Sequence, residues 1–185
     1  MLAANLGMAL CAAAQAAPEA YLVDPARTQP RLSLAYFGYA VPLARFKRSS
    51  GRVVFDRVLR TASADVIVDT DSIDTGHSAI DRLIQGEEFL NTARYPKAVF
   101  RSSRVHFVGD RPVKIDGTLT LKGVTQRVDL VVNSFRRLSP PARRRETLAV
   151  GAFSTVKRSD FGLGGLVPHV GDAIRVDIEI EVVRE

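Results

Sequence analysis

The closing segment AIRVDIEIEVV alternates without a break. Ile174, Val176, Ile178, Ile180 and Val182 fall on one side, and Arg175, Asp177, Glu179 and Glu181 on the other. A period of two is the repeat of a half-buried strand, because successive side chains of extended backbone point to opposite faces. The pattern recurs in VKIDGTLTLK, where Val113, Ile115, Gly117, Leu119 and Leu121 share a face against Lys114, Asp116, Thr118, Thr120 and Lys122. Gly123 then turns the chain into RVDLVVNSF over a link too short for a parallel crossover, which predicts an antiparallel hairpin. Further strands are predicted in LSLAYFGYAV, in LARFKRSSGRVVFDRVL, over residues 64–70 and 98–108, and in LAVGAFSTVKRSDFG. Residues 17–30 carry Pro18, Pro25 and Pro30, so this lead-in is expected to hold at most a short edge strand over residues 21–24.

About eight or more strands, mostly joined by hairpins, predict an all-β chain folded as a closed antiparallel barrel or a sandwich. With 185 residues, 46% of them hydrophobic, the chain can bury one sizeable core and is too short for two comfortable domains. Closing about eight strands removes exposed edges and leaves an interior that holds one small ligand, so the size fits a lipocalin-like architecture.

One stretch breaks the alternation. Residues 68–96, VDTDSIDTGHSAIDRLIQGEEFLNTARYP, read as a strand end, a tight turn and one or two short helical pieces. Asp74-Thr75-Gly76 resembles half of an aspartic protease site, but that chemistry needs two carboxylates sharing a proton, and one D-T-G is present. It reads as a turn. The acids Asp69, Asp71 and Asp74 lack the spacing of a calcium loop, which would put Ile80 at the bidentate position, and they mark the outward face of a strand end. His77, His106 and His169 are isolated, with no cysteine at zinc spacing, so no metal is expected. No nucleophile elbow or phosphate-cradling glycine loop is present, and the sequence makes no case for an enzyme.

The opening MLAANLGMALCAAAQAAPEA holds an apolar run over residues 6–14 followed by Ala14-Gln15-Ala16, the small-x-small pattern of a signal-peptidase site. Residues 1–16 are therefore expected to be a signal peptide, with cleavage before Ala17 and export to an oxidising compartment, although the usual basic n-region is missing. The run is shorter than the roughly 20 apolar residues of a membrane span. Cys11, the sole cysteine, would leave with the signal; a lipoprotein reading would make it the acylated residue, but Leu10 precedes it where a small residue is wanted.

The formal charge is +6, and the strongest local bias is Arg136, Arg137, Arg143, Arg144 and Arg145 in RRLSPPARRRE. A nucleic-acid site would pair such arginines with exposed aromatics or a known module, and neither is evident. A charged loop that keeps a hairpin soluble is the plainer reading, and contact with a membrane surface of anionic headgroups is the functional one. A flat outer face would support a homodimer. Among aromatics, Phe37, Phe46, Phe55, Phe100, Phe107, Phe135 and Phe153 lie in predicted strands, where they pack a core or line a cavity.

Several motifs together carry a resemblance. They are Ser72-Ile73-Asp74-Thr75-Gly76, Asp81-Arg82, Glu88-Phe89-Leu90, Tyr95-Pro96 with Phe100, the run GTLTLKGVT over residues 117–125, and Arg158-Ser159-Asp160-Phe161-Gly162. In this order they resemble the YceI-like family of periplasmic, lipocalin-like proteins over nearly all of residues 17–185. The chain departs from the family pattern at Tyr36-Phe37-Gly38-Tyr39, where a histidine is common, and at Ala44-Arg45-Phe46, with Ala for Gly.

The resemblance implies an extended antiparallel barrel with a short helical segment, holding a long apolar amphiphile such as a polyisoprenoid or quinone-like lipid, with no other cofactor. The ligand-binding residues expected on that basis are Phe37, Phe46, Phe55, Leu83, Phe89, Phe100, Phe153 and Arg158. Leu83, Phe89 and Leu90 are expected to gate the interior. Arg158 is expected either to engage a polar head or to lock a strand-to-turn junction by pairing with Asp160, and Ser78-x-x-Asp81 to cap a helix with Asp81 and Arg82 paired. The alternative function is an enzyme or redox-complex accessory protein acting on a similar lipid.

Overall fold

The computed structural model describes residues 17–36, 39–141, 143–165, 167 and 169–185. Eleven strands run in chain order as β1 (Glu19–Val23), β2 (Arg31–Tyr36), β3 (Tyr39–Phe46), β4 (Ser49–Asp56), β5 (Thr61–Asp69), β6 (Ile73–Asp74), β7 (Lys97–Val108), β8 (Arg111–Leu121), β9 (Val124–Leu138), β10 (Thr147–Lys157) and β11 (Ala173–Arg184). One helix, α1 (Ser78–Gln85), lies between β6 and β7. Every pairing is antiparallel, and β1, β4, β5, β7, β8, β9, β10 and β11 close into an eight-stranded barrel through the contact of β1 with β11. The lipocalin-like barrel with one short helix between strands is therefore the observed fold.

Strand β11 makes the closure work. Its C-terminal end pairs with β1 at Val182, Val183 and Arg184, while its N-terminal end pairs with β2 from Ile174 to Asp177. Thr28, fully buried, lies in the seam between these two partners, and its hydroxyl accepts from the Glu181 amide at 3.3 Å. The proline-bearing lead-in is thus more than an edge: β1 pairs on both sides, with Tyr21 and Val23 buried and Leu22 outside. Prolines at 18, 25 and 30 flank the strand and take no ladder position within it.

All hairpins of one polarity meet at one barrel end, reached by the turns of residues 57–60 and 109–110 and the loop of residues 139–146. The opposite end carries α1, the turn at Lys122 and Gly123, and the long connection between β10 and β11. Gly123 has φ +78°, and a Cβ there would meet the Tyr95 ring at 2.9 Å, so glycine both makes the turn and admits the segment that follows α1. Strands β10 and β11 pair over eleven residues, from Thr147 opposite Val183 to Lys157 opposite Ala173. At about 3.3 Å per residue and a tilt near 40° this gives a tube roughly 28 Å long.

Three register slips interrupt the barrel's ladders, two between β7 and β8 and one between β9 and β10, and each re-aims side chains. The register slips between Ser102 and Arg104 on β7, between His106 and Phe107 opposite Lys114 and Pro112 on β8, and between Gly151 and Ala152 opposite Ser134 and Val132 on β9. A bulge inserts one unpaired residue and so inverts the alternation beyond it. Phe107 and Phe135 turn inward as a result, and Val113, expected on the inner face of β8, stands on the outside at 37% exposure.

Candidate functional site

The inner faces of these strands enclose a cavity of about 450 Å³, within the usual range for small-ligand sites. Its lining is aliphatic and aromatic except for Thr28, Ser63, Ser154 and Arg158. Among the described residues, no carboxylate, imidazole or thiol lines it. Space of this kind is poor for water, which needs two to four polar partners, and good for hydrocarbon.

The floor is aromatic. Phe55 stacks on Phe107 with centroids 5.9 Å apart and meets Phe135 edge-on at 6.5 Å. Beneath them the closed end is sealed by charges in mutual contact. Tyr21, fully buried, donates its hydroxyl to Glu19 at 2.8 Å; Arg57 pairs with Glu19 at 2.6 Å and with Glu146; Arg137 and Arg184 pair with Glu146 and Glu19 at 3.0 and 3.1 Å. Burial works to raise the Glu146 carboxyl, yet the hydrogen bond and charge of Arg57, with Arg137, hold it below the ordinary glutamate value. Burial also works against the Arg57 charge, but bonds to Glu146 and Tyr21 prevail and its pKa is raised. The Tyr21 hydroxyl is raised chiefly by burial.

Halfway up, Phe100 lies across Gly117. A Cβ at Gly117 would sit 2.5 Å from the Phe100 ring and 2.5 Å from the Arg101 carbonyl oxygen, so the glycine makes room for the ring. At the mouth, Ile80, Leu83 and Ile84 of α1 face the cavity together with Phe89 and Leu90. Leu90 is buried, whereas Leu83 is 56% exposed and Ile80 44%, so the apolar stripe of the helix is shared between the cavity and water.

Local chemistry explains why α1 sits there. Asp74 accepts from the Gly76 amide at 3.2 Å and pairs with Arg45 and Lys47, and Gly76 takes φ +84°, which makes D-T-G a turn. The hydrogen bond from Arg45, then that from Gly76, hold the Asp74 carboxyl below its ordinary value. Asp69 pairs with Lys97 and Arg48, and Asp71 with Arg48. These acids are ion-paired scaffolding. The capping expectation needs correction: the residue before α1 is His77, and Asp81 reaches back to the Thr75 amide and hydroxyl at 2.7 and 2.6 Å. Ser78 begins the helix, and no Asp81–Arg82 pair forms among the described residues.

Of the expected ligand contacts, Phe46, Phe55, Leu83, Phe89, Phe100 and Arg158 line the cavity, and Phe37 lies outside the described residues. Phe153 is a correction. On β10 the inward residues are Leu148, Val150, Ala152, Ser154 and Val156, so Phe153 has the outward parity, and its ring lies 4.0 Å under the Arg175 guanidinium on the outer wall. Phe107 and Phe135, two of the strand aromatics that could pack a core or line a cavity, supply the deep aromatic contacts, and it is the bulges that turn them inward.

Arg158 is committed to the fold. Its guanidinium donates to four carbonyls, those of Leu163 (2.8 Å), Gly171 (3.0 Å), Val170 (3.0 Å) and Gly165 (3.1 Å). The pairing expected with Asp160 is absent among the described residues; Asp172 instead accepts from the Ser159 amide and hydroxyl at 2.8 and 2.7 Å. The R-S-D-F-G turn thus ties down the long connection at the mouth, and Phe161 at its centre is 2% exposed.

Comparison with known proteins follows the same outline. A sequence model of the YceI-like domain matches residues 21–182. A UPF0312 protein of Shewanella putrefaciens is 30% identical over all of this chain and 98% of its own length. Among solved structures, BcnA of Burkholderia cenocepacia superposes with a TM-score of 0.66 at 24% identity, covering 86% of this chain and 98% of that one. A polyisoprenoid-binding domain from Saccharophagus degradans, implicated in plant cell wall breakdown, gives 0.66 at 20% identity over 90% and 99%. The two structures share the fold.

Proposed function

The chain belongs to the YceI-like domain family, and from that premise we propose that it is a periplasmic binding or carrier protein that holds one long apolar amphiphile, of the polyisoprenoid or quinone-like class, inside the barrel. The observation that carries this is the cavity: a narrow tube some 450 Å³ in volume in which, among the described residues, four polar side chains join an otherwise apolar lining. Each methylene moved from water into it contributes about 0.8 kcal/mol, so ten contribute roughly 8 kcal/mol before the cost of ordering the chain. Such a cargo is insoluble alone, and enclosure is what makes it mobile. The polyisoprenoid-binding neighbour of the same fold supports the cargo class.

Binding is favoured over catalysis because bond-making chemistry needs an acid, a base or a nucleophile at the reacting atom. The described lining offers Arg158, whose guanidinium already donates to four carbonyls, and three hydroxyls. Residues 1–16 fit a signal removed before Ala17, on the pattern Ala14-Gln15-Ala16.

Native protein purified without detergent, extracted with organic solvent and analysed by mass spectrometry tests the proposal. A stoichiometric prenyl or prenyl-quinone lipid is expected, with an intact protein mass for a chain beginning at Ala17. An extract without lipid, from protein whose interior also fails to take up added prenyl lipid, would overturn it.

A further inference from the structure

The two ends of the barrel differ in charge and in what they expose. The connections at the mouth, residues 47–48, 70–96, 122–123 and 158–172, hold six lysines and arginines against seven acids. The turns at the closed end, residues 57–60, 108–111 and 139–146, hold six arginines against two acids. Most of the net charge of +6 is therefore gathered at the end away from the cavity mouth.

Three of those arginines are engaged: Arg57 with Glu146, Arg143 with Glu181, and Arg60 with Asp110 at 3.2 Å. Arg111, Arg144 and Arg145 are exposed and have no ion-pair partner among the described residues. The same turns carry the three most exposed large apolar side chains described, Val108 at 69%, Leu59 at 67% and Val58 at 62%. Nothing in the barrel needs them there. The Asp56 carboxylate accepts from the Leu59 amide at 2.7 Å, and Gly109 turns the next hairpin with φ +59°, so both tips are built turns that hold their apolar residues outward.

We propose that the closed end of the barrel, through Val58, Leu59 and Val108 with Arg111, Arg144 and Arg145, docks on an anionic lipid bilayer and so presents the cavity mouth away from that membrane. Apolar tips on separate turns suit a fluid interface, which takes up each tip where it falls, while arginines at the same level neutralise headgroup phosphates. A folded partner would need one contiguous apolar face. The mouth has the opposite character, with acids in slight excess, so charge orients the molecule before contact. Docking in this orientation leaves α1 free to open toward a soluble or opposing acceptor. The inference uses a surface outside the cavity and holds whatever cargo is carried.

Flotation of the full chain with phosphatidylcholine vesicles, with and without phosphatidylglycerol, tests this. Binding is expected on the anionic vesicles alone and to fall as salt rises. The double variant Arg144→Ala with Arg145→Ala is expected to lower partitioning about 30-fold, from about 1 kcal/mol per arginine at the surface. Val58→Ser with Leu59→Ser is expected to lower it about tenfold. Leu83→Ser at the mouth is the control and leaves it unchanged, with circular dichroism confirming that each variant is folded. Equal binding to both vesicle types, no binding to either, closed-end variants that bind like the parent, or loss of binding in the Leu83 variant would each overturn the proposal. Cargo extraction from the same preparations separates failure of docking from failure of lipid binding.

Discussion

Single side chains carry the mouth. Arg158 spends its guanidinium on four carbonyls of the connection between β10 and β11, a geometry that needs donors arranged as a planar fork. Lysine keeps the charge but has three donors on one atom. Arg158→Lys is therefore expected to lower stability by about 1 kcal/mol, read from urea midpoints, because the part-buried bonds to the Leu163 and Val170 carbonyls cannot both be kept by one ammonium. An unchanged midpoint with reduced lipid retention would mark Arg158 as a headgroup ligand instead. The R-S-D-F-G motif was legible in the sequence as a junction, but its partner was not. Asp160 is adjacent in sequence, whereas the carbonyls that matter become neighbours only when residues 163–171 fold back. Phe153 teaches the same lesson: residue type suggested a cavity contact, and strand parity sent the ring to the outer wall.

At the scale of elements, α1 closes the tube with an apolar stripe only partly buried, and its eight residues are too few to be stable by propensity alone. It is held by Asp81, whose carboxylate accepts from both Thr75 groups, and by the Gln85 amide donating to the Asp71 carbonyl at 2.9 Å. Bonds from Thr75 hold the Asp81 pKa below its ordinary value. Asp81→Ala removes two of these bonds and unpins α1 from the turn before it. With α1 as the gate, opening becomes more frequent, so stopped-flow release of a fluorescent polyene lipid is expected to be several-fold faster, and an unaltered rate would rule α1 out as the gate. The helix was visible in advance as a gap in the period of two. The bulges on β7, β8 and β9 were not, since an extra residue leaves no mark on composition and shows only when the neighbouring ladder is counted.

On the scale of the whole molecule, the barrel is closed by β11 holding both β1 and β2, and its far end is sealed by Glu19, Arg57, Glu146, Arg137 and Arg184 around Tyr21. Because Glu146 has a folded pKa below its unfolded value, the stability it contributes is complete above the ordinary glutamate range and is lost as pH falls through the lowered folded value. Glu146→Gln is expected to cost about 1–2 kcal/mol at pH 7, where Arg57 loses one of its two carboxylate partners, and less at about pH 3, where the parent has begun to lose it too. Urea midpoints at the two pH values check this; an equal loss at both would mean the pairs do not titrate with folding. The sequence by itself determined the strands, the hairpin order, the single helical interruption and the family, because these are written in local periodicity and in motifs a few residues long. Tertiary structure alone decided that the short lead-in strand closes the barrel, which aromatics form the floor, what Arg158 holds, and that the arginines gather at the end opposite the mouth. Each of those depends on register and on contacts between distant residues, and a one-residue slip reverses which face a side chain takes.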